Sequence, residues 1–173
     1  MGRRAACALA VVVMLAAVGC GYHLQGGGAT RFSDPSVRVD VSPFANDSPE
    51  ADAGPYFAAR LREELRKTGF RGTFSSAGAD YLVEGKLRRI REDIFSHAAD
   101  RFALENRLSV VVDIRVVEVT RGRVLWKEAG LSETASYFSG SDAQYTEANR
   151  RAAFEVAARR LVLRIAQTLR VIL

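Results

Sequence analysis

The sequence predicts an α+β domain in which two helices pack on one face of a mixed four-stranded sheet, in the order β-α-β-β-β-α. Three observations carry this reading. Four segments alternate apolar and polar residues with period two, two others repeat apolar residues with period 3.6, and the residues opposite the apolar strand positions are polar enough to leave one sheet face wet.

Val37, Val39 and Val41 alternate with Arg38, Asp40 and Ser42, a strand with one buried face. Pro43 to Pro49 is turn-rich, and the helical segment after it opens near Pro55, a residue suited to the first helical turn. Phe57, Leu61 and Leu65 form its apolar stripe. Gly69 and Phe70 supply the C′ glycine and C″ hydrophobe of a Schellman stop, so this helix ends near Thr68. Asp80 to Arg91 reads as the second strand, with Tyr81, Val83 and Leu87 on one face, a close approach at Gly85, and a break of parity at Ile90 that requires a bulge. Arg107 to Val119 is the strongest strand: Leu108, Val110, Val112, Ile114 and Val116 face one way, with Arg107, Ser109, Asp113 and Arg115 opposite. Thr120 to Arg123 is a tight connection, from which Val124 returns antiparallel towards Tyr137. Phe154, Ala158, Leu161, Ile165, Leu169 and Ile172 then step by three and four along a closing helix whose arginines lie largely off the stripe.

A chain of 173 residues, 48% hydrophobic and 26% charged, is long enough for one core and too apolar for disorder. No apolar run reaches the roughly 18 to 20 residues of a spanning helix. The two cysteines, Cys7 and Cys20, and two histidines, His23 and His97, are too few for structural zinc, which takes about four ligands. His97 is expected in a solvated loop near Asp93 and Asp100, with no nucleophile and orienting group around it. No carboxylate pair is isolated from arginines in a way that would raise one pKa for acid chemistry. Gly26 to Gly28 lacks the Gly-Lys-Ser and helix start of a phosphate loop. The expectation is a protein without catalytic residues, metal or cofactor.

The N-terminus reads as an export signal over residues 1–19: Arg3 and Arg4 precede an uncharged apolar stretch from Ala5 to Val18. It ends in Ala17-Val18-Gly19-Cys20, which resembles the bacterial lipobox, with Ala17 and not leucine three residues before the cysteine. Cys20 is then the lipid-attachment residue, and several acyl chains on it anchor without a transmembrane helix. Gly21, where an aspartate would signal retention, points to the outer membrane and its periplasmic face. Residues 20–35 are read as anchor and glycine-rich tether, and 36–173 as a single domain. Removal of the signal leaves 23 basic and 20 acidic side chains, a net charge of +3 that is a weak footprint for nucleic acid.

Of the 25 basic residues 22 are arginine, whose planar fork suits bidentate pairing with phosphate or carboxylate. They gather at Arg88, Arg89 and Arg91, at Arg101 and Arg107, at the Arg121/Arg123 turn, and along the last helix. These seven are the candidate contacts to a phosphorylated glycolipid or a partner barrel. Strict alternation sends Arg88 and Arg89 to opposite faces unless the bulge re-aims one.

Gly19-Cys20-Gly21-Tyr22-His23-Leu24 resembles the start of the lipopolysaccharide-assembly lipoproteins, the LptE family. Pro43-Phe44-x-Asn46, Leu82-Val83-Glu84-Gly85, and Val124-Leu125-Trp126 followed by Leu131-Ser132 resemble its divergent members along most of the chain. The resemblance implies a sheet covered by two helices and a subunit that assembles and plugs the LptD outer-membrane β-barrel while assisting lipopolysaccharide delivery to the outer leaflet. It also implies lipopolysaccharide contacts in the second-to-third strand connection, where Arg101 is the local candidate, and near the start of the last helix, where Asp142, Glu147 and Arg150 are mixed in charge. Ser136-Tyr137-Phe138-Ser139 and the wet sheet face are candidates for barrel contact. The rival reading is a lipoprotein regulator such as a peptidoglycan-synthase activator, which uses similar domains on longer tethers. Here Gly21 to Pro35 spans only about 50 Å when fully extended, which favours a partner at the membrane.

Overall fold

A computed structural model of the chain describes residues 31–97 and 104–173. The expected signal, Cys20, His23, the tether up to residue 30, and Arg101 lie outside the described residues. The elements in chain order are β1 (Arg38–Val41), β2 (Ala45–Asn46), α1 (Ala53–Lys67), β3 (Thr73–Phe74), β4 (Tyr81–His97), β5 (Leu104–Glu118), β6 (Arg123–Ser139) and α2 (Ala143–Ile172). The architecture is α+β, two helices on one face of a mixed sheet, as the alternation of wet and dry strand positions requires.

The sheet has six strands and not four. Its order is β3-β1-β4-β5-β6, with β2 also pairing to β4. The parallel pairs involve β1, β2 and β3, while β4, β5 and β6 form an antiparallel meander. β2 and β3 are two residues each, too short to carry a period, so alternation could not reveal them.

α1 ends as its sequence demands: Phe70 N donates to Leu65 O at 2.9 Å and Gly69 N to Arg66 O at 3.2 Å, with Gly69 at φ 99°. α2 starts on Asp142, whose Oδ1 accepts from the backbone N–H of Gln144 and Tyr145 at 2.8 and 3.2 Å. Phe57, Leu61 and Leu65 of α1, with Leu161, Ile165 and Leu169 of α2, are buried against Val39, Val83, Leu87 and the inward row Leu108, Val110, Val112, Ile114 and Val116 of β5.

Two boundaries differ from the expectation. Phe32, assigned by sequence to the tether, is buried in the core, and its N–H donates to the carbonyl of the last residue, Leu173, at 3.1 Å. The loop expected from residue 92 to 106 is largely ladder: β4 runs on to His97, which pairs with Leu104. His97 therefore sits at a strand end. This distal pairing is held by backbone hydrogen bonds with little core beneath it, since Ile94 is 60% exposed, and so the segment carries no apolar alternation to announce it. The bulge that the parity break at Ile90 announces is present, with Arg88 as its extra residue: the register passes from Leu87 opposite Val112 to Arg89 opposite Val111. The shift of Ile90 to inward parity, opposite Val110, is its consequence.

Candidate functional site

The helices cover one face of the sheet and leave the other open. Residues that pair directly across antiparallel strands share a face. Arg89 pairs with Val111, Arg91 with Ser109, and Asp93 with Arg107, all opposite in sense to the buried row of β5. Arg88, the extra residue of the bulge, reaches the same face, because its Nε lies 2.7 Å from Asp113 Oδ2. The bulge thus removes the alternation that would separate Arg88 from Arg89. Four of the seven candidate arginines stand on the open face, joined by Lys86 and Arg115 further along β4 and β5.

Carboxylates moderate this charge. Lys86 Nζ lies 2.8 Å from Asp47 Oδ2, Arg91 Nη2 3.0 Å from Asp93 Oδ1, and Arg115 Nη1 2.9 Å from Glu84 Oε2. Each pair is exposed, so each contributes about 0–1 kcal/mol, and a phosphate oxygen can replace the carboxylate at small cost. Arg89 is exposed and makes no ion pair among the described residues. Across β5 the rungs continue into Ser132, Thr134, Ser136 and Phe138 of β6, all exposed. The face is a band of cations and hydroxyls ending in an exposed aromatic ring.

The stretch 136–139 divides between the two faces. Ser136 and Phe138 are on the open face. Tyr137 points inward and donates its hydroxyl to Glu92, and Ser139 Oγ accepts from Asn106 Nδ2 at 2.7 Å. Burial, then the hydrogen bond to Glu92, pushes the Tyr137 hydroxyl up to about 12. Arg150 is committed inside the fold: its guanidinium lies 2.7 Å from Glu147 and 2.8 Å from Glu50, with Glu92 at 3.6 Å. Hydrogen bonding to Glu147 raises the Arg150 pKa further above its ordinary value and lowers that of Glu147. A groove of about 620 Å³ runs along the free edge of β6 beneath α2, where Asn149 Nδ2 donates to Phe138 O at 2.9 Å and Arg160 Nη1 to Thr134 O at 2.8 Å.

Arg121 and Arg123 stand at the other end of β5. Arg121 Nη1 and Arg123 Nε lie 3.0 and 3.2 Å from the carboxylate of Glu118, which is 3% exposed, and Arg31 Nη1 lies 3.5 Å from it. Sequence reading missed Glu118, although its parity with Val116 puts a carboxylate on the inward row, with arginines three and five residues on. The short motifs prove to be packing devices. Phe44 stacks on Phe57 at 5.6 Å and lies against Gly85, while Asn46 donates to Glu50 O at 2.6 Å and accepts from Ser48 N at 2.9 Å. Among the described residues no three His, Cys, Asp or Glu side chains are grouped to hold a metal, and no helix is long and apolar enough to cross a membrane.

A family model described as LptE, lipopolysaccharide-assembly, matches residues 37–169. No curated protein matches the chain. Among solved structures, a protein from Caulobacter crescentus CB15 described as a lipoprotein superposes with a TM-score of 0.54 at 19% identity, over 76% of this chain and 90% of that one. A homolog of neuraminyllactose-binding hemagglutinin from Helicobacter pylori gives 0.51 at 12% identity, over 85% and 92%. A minor lipoprotein from Acinetobacter baumannii gives 0.50 at 10% identity, over 78% and 92%. At these identities the structures share the fold.

Proposed function

The chain belongs to the LptE family of lipopolysaccharide-assembly proteins, and from that premise we propose that it is the lipid-anchored, non-enzymatic subunit of the outer-membrane lipopolysaccharide translocon. Residues 1–19 direct export, Cys20 carries the lipid at the periplasmic face of the outer membrane, and the segment after it tethers the domain. The domain assembles and plugs the LptD β-barrel and assists insertion of lipopolysaccharide into the outer leaflet. It works by binding, with no cofactor and no bond broken.

The observation that carries this reading is the open sheet face. A sheet buried on one side exposes on the other a broad polar surface, here with Arg88, Arg89, Arg91 and Arg107 in one band with hydroxyls. Such a surface suits a hydrated barrel wall, where large polar interfaces spread their energy over many contacts. Its arginines suit the phosphates of a glycolipid. The test is recovery of the tagged, lipidated protein from detergent-solubilised envelopes. A large heat-modifiable β-barrel is expected with it stoichiometrically, and Arg89→Glu combined with Arg91→Glu is expected to reduce that recovery while leaving the circular dichroism of the domain unchanged. Recovery of a peptidoglycan synthase in place of the barrel would overturn the proposal.

A further inference from the structure

We propose that the β5–β6 turn, together with Arg31, is a docking surface for phosphate headgroups of the membrane leaflet that holds the Cys20 anchor; this rests on the lipid-anchor reading above. The first described residue, Arg31, enters the fold at this corner. Its Nη1 is 3.5 Å from Glu118, and the next residue, Phe32, donates to the carbonyl of Leu173 at 3.1 Å. Only ten residues separate Arg31 from Cys20, a reach of at most about 40 Å, so the tether holds the corner bearing Arg31 within that distance of the lipid.

The chemistry of that corner suits a headgroup layer. Three guanidiniums converge on one carboxylate, that of Glu118; Asp34 and Asp80 line the same corner beside Arg31 and Arg38, so the corner keeps one net positive charge, and it falls on the Arg121/Arg123 side, where Glu118 is the one carboxylate paired among the described residues. Their side chains stay outward: Arg31, Arg121 and Arg123 are 56%, 64% and 63% exposed. Each guanidinium has five N–H donors, and the contacts to Glu118 use few of them. Two apolar side chains stand beside the charges with no core over them, Val119 at 47% exposure and Val124 at 43%. Exposed valines among arginines, next to the point where an anchored tether joins the fold, have the composition of a membrane-interface contact. Buried Glu118 orients the arginines; its own charge is covered by them. The arginine band runs from Arg89, at the middle of β4, to Arg107 towards the far end of β5, so the domain would present the turn arginines to the leaflet and this band further from it.

The test uses the full acylated chain in vesicles of phosphatidylethanolamine and phosphatidylglycerol, with an environment-sensitive fluorophore on Val119→Cys or, at the far end of β4, on Ile94→Cys. The label at position 119 is expected to shift to the blue and to be quenched by nitroxide-bearing lipid, and the label at 94 to show neither. Arg121→Gln, which leaves Arg31 and Arg123 on Glu118, is expected to reduce the quenching at 119. Equal quenching at the two positions, or none at 119 in an acylated chain that floats with the vesicles, overturns this inference alone. A chain whose intact mass shows no acyl groups, and which does not float, overturns the anchor reading and this inference with it.

Discussion

Gly85→Ala tests how the loop between β1 and α1 is seated on the sheet. Gly85 lies on the inward face of β4, opposite Ile114, and a Cβ there would collide with the Phe44 ring. The ring is 3% exposed and stacks on Phe57 with an interplanar angle of 14°, so it cannot step aside without breaking a second contact. Overpacking of this kind costs about 1–3 kcal/mol. Glycine in a strand is itself less stable than alanine by roughly 0.5–1 kcal/mol, so with the ring gone the sign reverses. Phe44→Ala alone should cost about 3–5 kcal/mol. The double variant should then be as stable as Phe44→Ala or slightly more so, a coupling of about 2–3 kcal/mol between positions 41 residues apart in sequence. Urea denaturation of the three variants, compared at equal m-values, measures this. Destabilisations that add to within about 0.5 kcal/mol would refute the reasoning, because the collision would then not be what makes Gly85 necessary.

Three further outcomes follow from the same geometry. Because the Tyr137 hydroxyl is pushed up to about 12 in the fold, its contribution is complete below the ordinary tyrosine pKa near 10 and is lost as pH rises towards 12. The loss is on the order of 2 kcal/mol, and Tyr137→Phe should flatten the alkaline limb of a stability–pH profile. Asp142→Ala removes the acceptor for two backbone N–H groups at the start of α2 and should cost about 1 kcal/mol, read from the urea midpoint, with Asp142→Asn restoring most of it. Arg150→Met leaves Glu50, Glu92 and Glu147 without their shared cation; because these carboxylates are half exposed the cost should be about 1–2 kcal/mol, partly recovered in high salt by thermal melting.

Where the core reaches, the sequence is readable. The inward row from Leu108 to Val116, the Gly69-Phe70 stop of α1 and the apolar steps of α2 are each forced by burial of one face, and each is found in place. Legibility fails where burial is absent. β2 and β3 are too short to show a period, and the distal ends of β4 and β5 pair through backbone groups that any sequence supplies. The Arg88 bulge lies between these cases. Its trace is the return of Ile90 to inward parity, which reveals that a residue has been inserted but not which one.

That one inserted residue decides how the arginines can act. Without it Arg88 and Arg89 would face opposite ways, and one would enter the layer occupied by Leu87 and the helices, where an unpaired charge costs several kcal/mol. With it both stand on the open face, and Arg88 meets Asp113, whose other oxygen accepts from Gly130 N at 2.9 Å across the sheet. The turn arginines are sorted by the reverse device. Glu118 keeps inward parity, is 3% exposed, and draws Arg121 and Arg123 round to it from the hairpin. Composition makes the seven candidates equivalent, whereas strand parity and register separate the described ones into two groups, one on the open face from the middle of β4 to Arg107 and one at the β5–β6 turn. Charge reversal at Arg89 and charge removal at Arg121 should therefore act on different partners, the first on barrel recovery and the second on contact with lipid. A single electrostatic surface would make the two substitutions interchangeable.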